Sequence, residues 1–117
     1  SKIMREVTAM KVNELACLDG FSAIAMPDGE REILGGYAGD LLSWVMGRAE
    51  EGDAWVTIMS NVNIVAVSTL ADPSCIVLSE GVKPDPEALK RAEEQGVNII
   101  STKLDTFDAC VRISALI

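Results

Sequence analysis

The run from Cys75 to Ile100, CIVLSEGVKPDPEALKRAEEQGVNII, decides the fold of this chain. It opens on a continuous apolar stretch, Cys75 to Leu78, the pattern of a strand buried on both faces. Asp85 then stands where a helix cap is wanted, Pro86 at the first helical position and Gly96 just past the end. Glu87, Lys90, Arg91, Glu93 and Glu94 give that helix one solvated face, and Val97 to Ile100 reads as a second short strand. Strand, helix and strand in this order make a parallel unit with a right-handed crossover.

Working outward, the same alternation holds from residue 40 to the end. Asp40 caps a helix carrying Leu41, Leu42, Val45 and Ala49, closed near Gly52. Trp55 to Met59 reads as a strand. Asn61 caps a helix over Val62 to Ala71, apolar nearly all round and so expected to be deeply buried. Asp105 or Thr106 caps the last helix, with Phe107, Cys110, Ile113 and Leu116 or Ile117 expected to face inward.

Upstream, Lys11 to Leu18 forms a short helix ended by Asp19-Gly20, and Phe21 to Met26 a strand. Pro27-Asp28-Gly29 is a turn. Glu32 to Leu34 is a brief strand stopped by Gly35-Gly36. The sum is an α/β domain, a three-layer α/β/α sandwich with a mainly parallel sheet, its first two strands added at an edge. Residues 1–10 read as a flexible arm and 11–117 as one domain.

Composition then narrows the chemistry. The 117 residues carry 18 acidic and 10 basic side chains, a net charge of −8, and no histidine. That balance repels nucleic-acid phosphates and anionic lipid. The missing histidine removes Ser-His-Asp and Cys-His catalysis and histidine-based zinc sites. Cys17, Cys75 and Cys110 are too widely spaced for a structural metal, and Cys75 and Cys110 read as small buried apolar residues. No apolar leader stretch is visible. The longest apolar run, Asn63 to Leu70, falls far short of the roughly 20 residues of a membrane span. A reduced, cytoplasmic protein with no cofactor is expected.

In an open α/β sheet a ligand sits beyond the carboxyl ends of the strands, where helices also begin. Ser60 and Asn61, Ser79 and Gly81, and Ser101 and Thr102 fall at three such ends, making them candidates for holding a nucleotide or small anion, with Lys83 and Lys103 nearby. The same residues also suit helix caps and turns. The stretch Gly35-Gly36-Tyr37-Ala38-Gly39-Asp40 is the other candidate, although it matches neither a dinucleotide fingerprint nor a P-loop. Asp40, Asp53 and Asp85 have ordinary capping or turn roles, and no nucleophile–base pair stands out.

Glu30-Arg31-Glu32-Ile33-Leu34-Gly35-Gly36, running into Tyr37-Ala38-Gly39-Asp40-Leu41-Leu42-Ser43-Trp44-Val45-Met46, resembles the signature of the DRTGG domain. Gly52 to Ile58, Asn63 to Val67 and Pro84-Asp85 to Gly96 extend the resemblance over nearly the whole chain from about Met10. Where the domain's name has Asp, Thr and Gly-Gly, this chain has Glu30, Leu34 and Gly35-Gly36. The resemblance implies a fold similar to the N-terminal domain of bacterial HPr kinase/phosphorylase, without its kinase domain. It implies a non-catalytic regulatory or dimer-forming part, as beside CBS domains in regulated pyrophosphatases and within some phosphotransacetylases. Stand-alone members of the family are associated with clostridia and related anaerobes, sometimes beside iron-hydrogenase components.

The reading is a regulatory module that self-associates and binds a partner protein, with Arg31, Gly35, Gly36, Tyr37, Asp40 and Trp44 as candidate interface residues. Trp55 is expected in the core. The alternative is a nucleotide or anion sensor using the carboxyl-end residues named above.

Overall fold

The structure, a computed structural model, describes residues 9–117. The element order is β1 (Met10–Lys11), α1 (Val12–Ala16), β2 (Phe21–Ala25), β3 (Glu32–Ile33), β4 (Gly35–Ala38), α2 (Leu42–Arg48), β5 (Asp53–Thr57), α3 (Asn63–Ala71), β6 (Cys75–Leu78), α4 (Pro86–Gln95), β7 (Ile99–Thr102) and α5 (Thr106–Ser114). The expected arm over residues 1–10 lies outside the described residues up to Thr8, and Met10 is paired with Ile33 in a small antiparallel sheet of β1 and β3.

The main sheet has five strands in the order β2-β7-β6-β5-β4. β4, β5, β6 and β7 run parallel, and β2 joins β7 antiparallel with a register shift between Ala23 and Ala25. The mainly parallel sheet follows from β5 and β6, whose residues are buried without alternation because helices cover both faces. Ala54, Val56, Cys75, Val77 and Ile100 pack on one face with Val12, Leu15, Ala109 and Ile113. Trp55, Ile76, Leu78 and Ile99 pack on the other with Val45, Ile64, Val67, Ala88 and Ala92. Trp55 is fully buried, as its sequence setting implied, and its indole N–H donates to the Gly39 carbonyl at 2.9 Å.

α4 starts and stops where Asp85, Pro86 and Gly96 placed it, with Gly96 in the left-handed region at φ +74°. Elsewhere the sequence reading needs correction. Gly35-Gly36 does not stop a strand but begins β4, an edge strand of the main sheet. Of the first two strands, β2 is at an edge of that sheet, whereas β3 belongs to the small one. The strands expected at 55–59 and 97–100 each sit two residues away, at Asp53–Thr57 and Ile99–Thr102.

Leu41, not Asp40, is at the start of α2. α3 is buried on one side only, with Leu70 exposed. Phe107 points outward, 76% exposed, and the inward face of α5 is Ala109 and Ile113. The small Ala109 lets the helix lie close to the sheet, which a phenylalanine there would prevent.

Candidate functional site

The two ends of the sheet are built for different purposes. At the amino end, the motif stretch forms a structural knot. Arg31 donates to the Asp72 carboxylate at 2.7 Å and to the Asp72 carbonyl at 2.7 Å, clamping the C-terminus of α3. That carbonyl also accepts from Gly52 N at 3.0 Å, and Leu34 N donates to Gly52 O at 2.9 Å. Ser74 ties in through its hydroxyl to the Glu32 carbonyl and its N–H to Asp53 O. A Cβ on Gly35 would stand 2.8 Å from Asp53 Oδ1, and the other oxygen of that carboxylate accepts from Glu50 N at 2.8 Å. Gly35 is therefore glycine because a buried carboxylate fills the space a side chain would need. Glu30 pairs with Lys11 at 2.8 Å on the surface, which lowers the Glu30 carboxyl below its usual range and raises the Lys11 ammonium.

Close by, Asn98 is buried before β7. Its amide donates to Asp28 O at 2.7 Å and Ser74 O at 2.9 Å, and its oxygen accepts from Asp28 N at 2.9 Å. This holds the turn after β2 against the amino ends of β6 and β7.

The carboxyl end carries the six residues expected to hold a ligand. Two of them are spent inside the protein. The buried Ser79 hydroxyl shares a 2.7 Å hydrogen bond with the Thr106 hydroxyl, and the buried Thr102 hydroxyl donates to Gly20 O at 2.6 Å. Gly81, at φ +73°, donates its N–H to Thr102 O at 3.0 Å, and the neighbouring Glu80 carboxylate accepts from Thr106 N at 2.8 Å. Asn61 accepts from Asn63 N at 2.9 Å in the turn ahead of α3, whose cap position is Val62 rather than the expected Asn61, and Ser60 reaches Asp85 Oδ1 at 3.4 Å. Asp40 accepts from the Thr57 hydroxyl at 2.7 Å and from Ile58 N at 2.9 Å, so it fastens β4 to β5 rather than capping a helix.

Ser101 differs from the rest. It faces Ser22 across the β2–β7 register and lines a groove of about 560 Å³ with Thr102, Lys83, Lys103, Ser22 and Asp19. Sequence reasoning found Ser101, Thr102, Lys83 and Lys103 but missed Ser22, which only strand pairing brings there. Among the described residues no group of three or more Cys, Asp or Glu side chains is placed to hold a metal ion. No helix among them is long and apolar enough to cross a membrane.

The interface candidates divide in the same way. Arg31 and Gly35 belong to the amino-end knot. Tyr37 is half-buried against the core, while Trp44 is 54% exposed with the Arg48 guanidinium 3.9 Å above its ring. Leu41 and Ile58 are exposed beside Asp40, which joins their segments. Gly36 borders a hollow of about 210 Å³ beneath α5. Of the cysteines, Cys75 is buried as expected, and burial pushes its thiol up to about 12. Cys110 is half-buried and raised by the same cause, and Cys17 is exposed.

A family model described as the DRTGG domain matches residues 39–116. The stretch from Glu30 to Gly36 lies before the matched residues. No curated protein matches the chain. Among solved structures, the CBS and DRTGG domains of the regulatory region of Clostridium perfringens pyrophosphatase, complexed with the activator diadenosine tetraphosphate, superpose with a TM-score of 0.68 at 20% identity. The likeness covers 99% of this chain and 49% of that one, so the chain spans about half the length of that regulatory region. At this identity the likeness carries the fold.

Proposed function

The chain belongs to the DRTGG domain family, and from that premise we propose that it is a non-catalytic regulatory module that self-associates and binds a partner protein. The observation that carries this reading is the apolar surface beside Asp40. Leu41, Trp44 and Ile58 are exposed at 60%, 54% and 44%. Aromatic side chains with a stacked arginine are favoured anchors of interfaces. The carboxylates nearest to a catalytic appearance support the non-catalytic part, because Asp40 and Asp53 already accept hydrogen bonds that hold the sheet together.

Sedimentation velocity at tens of micromolar tests the self-association. A concentration-dependent dimer that Trp44→Glu dissociates supports it, and a strict monomer overturns it.

One observation favours a second reading as a sensor of a nucleotide or other small anion. Lys83 and Lys103 share a groove with Ser22 and Ser101, and neither lysine is in an ion pair among the described residues. The regulatory region of similar fold is complexed with diadenosine tetraphosphate. A ligand at about 100 times its Kd adds roughly 2.7 kcal/mol of stability. Thermal-shift measurements with adenine and guanine nucleotides, including diadenosine tetraphosphate, test this. A shift removed by Lys83→Ala with Lys103→Ala supports the reading, and no shift with any of them ends it.

A further inference from the structure

β4 is the outer strand of the main sheet, and among the described residues no strand pairs with its far side. α5 lies across β4 and β5. Gly36 and Ala38 on β4, with Ala54 in register beside Gly36, give the helix little to pack against. A hollow of about 210 Å³ remains between strand and helix, walled by Cys110, Ile113 and Ile117 and lined by no charged residue. A Cβ on Gly36 would meet only the Ala54 carbonyl oxygen, at 3.6 Å, so the hollow opens directly over that glycine. Beyond it, the outer face of α5 presents Phe107 and Val111 one turn apart, both exposed.

An open strand edge beside an apolar hollow is the pair of features by which a domain takes up an extended segment. The main chain supplies the hydrogen bonds and the hollow selects an alternate side chain. Edge strands that avoid such pairing carry lysine, proline or a bulge, and Gly35–Ala38 has none of these. The charges at the two ends of the strand add a preference. Asp40 follows β4, while Glu50 and Glu51 lie just before β5, beside the start of β4. None of the three is in an ion pair among the described residues.

We propose that the β4 edge and the hollow under α5 form a docking groove for an extended peptide of a partner protein. The peptide adds as a further strand, seats one aliphatic side chain in the hollow and carries lysine or arginine on either side. This deepens the partner-binding reading and rests on it.

The test is fluorescence anisotropy of the full chain with labelled seven-residue peptides, Lys-Thr-Val-X-Val-Thr-Lys, where X is valine, isoleucine, leucine, aspartate or proline. Saturable binding is expected for the aliphatic peptides, at least ten-fold weaker for aspartate and for proline. Replacing the terminal lysines by glutamate is expected to weaken it further at low salt. Gly36→Val fills the hollow and is expected to reduce binding at least ten-fold while leaving the circular dichroism and the melting temperature near those of the unchanged chain. Ala38→Val serves as the second variant should the first not fold.

No saturable binding, or binding that survives both substitutions, overturns the proposal. A dimer that Gly36→Val dissolves, in a chain that ignores the peptides, puts a second copy at this edge; the peptide groove then falls and self-association stands. A monomer that binds the peptides ends self-association and keeps the groove.

Discussion

The two edges of the main sheet face the same problem and meet it differently. At the β2 edge the strand is antiparallel, its register breaks between Ala23 and Ala25, and Lys83 and Lys103 stand beside it. Thr102 and Arg112 bond to the backbone at Gly20 and Asp19 just ahead of it, at 2.6 and 2.7 Å. Bulges and lysines are the means by which natural sheets refuse a further strand. The β4 edge has glycines, an unbroken register and an uncharged hollow. Among the described residues, one edge of the sheet is closed off by its own chain and the other carries no further strand.

The sharpest test of this contrast lies within the glycine pair. Gly35→Val drives a side chain to within 2.8 Å of the Asp53 carboxylate, and overpacking of this kind costs about 1–3 kcal/mol. Gly36→Val meets only the Ala54 carbonyl oxygen, at an ordinary contact distance of 3.6 Å, and should change stability by no more than about 0.5 kcal/mol. Urea unfolding of both variants measures the difference. Equal losses would mean that β4 is closed on both faces and that the edges do not differ as described.

At the β2 edge, Thr102→Val keeps the shape but strips partners from Gly20 O and Leu104 N. An unmade buried hydrogen bond costs about 1–3 kcal/mol, so the unfolding midpoint should drop clearly. Ser101→Ala, whose hydroxyl lines the groove, should leave it nearly unchanged. A silent Thr102→Val would show that this edge is not held by the bonds ascribed to it.

The cysteines sample both regions. A thiol reagent at neutral pH should modify exposed Cys17 first, Cys110 at the rim of the β4 hollow more slowly, and Cys75 only on unfolding. Cys75 also sets an alkaline limit. Its folded pKa, about 12, lies above the ordinary value of 9.0. The neutral thiol is therefore favoured by folding, its contribution is whole below pH 9, and it is lost as pH rises from there toward 12. Cys75→Ser or Cys75→Ala should flatten that limb of the stability profile. An unchanged limb would assign it to other groups.

The smallest effect is expected at the Lys11–Glu30 pair beside the small sheet, which is exposed on both sides. Glu30→Gln should leave the neutral-pH melting temperature unchanged within error. What the pair does contribute needs the Glu30 carboxylate, and so vanishes only as pH falls through its depressed pKa. A clear neutral-pH loss would make the amino-end surface more than a solvated face.

What the sequence revealed depended on how local the signal was. Asp85, Pro86 and Gly96 specify α4 from within one segment, and the structure keeps all three at those positions, although the Asp85 side chain makes no capping hydrogen bond. The β4 strand was hidden because Gly35-Gly36 has no strand preference of its own. It exists only because β5 lies alongside and the Asp53 carboxylate fills the space beside Gly35. α5 carries two apolar stripes, and its period alone does not say that Ala109 and Ile113 face in while Phe107 and Val111 face out.

The candidate site was legible in position and not in use. Ser79, Ser101 and Thr102 do stand toward the carboxyl edge. Which hydroxyls are spent internally depends on partners 27 residues away for Ser79 and 82 for Thr102. Ser22 came into the groove by strand pairing alone.

The Asn98 bond to Asp28 spans 70 residues, the Thr102 bond to Gly20 spans 82, and the Arg112 bond to Asp19 spans 93. α1 touches β2 from before it, and Phe21 N donates to Leu18 O, but the strand partner of β2 and these three long bonds are synthesised after nearly all the rest. On the ribosome the first strand of the main sheet must wait, unpaired, while the four parallel strands are made beside one another. The last to be made, β7, then admits the first. Birth order and folding order run in opposite directions at that edge, and a chain released before Ile99 would leave β2 without its strand partner.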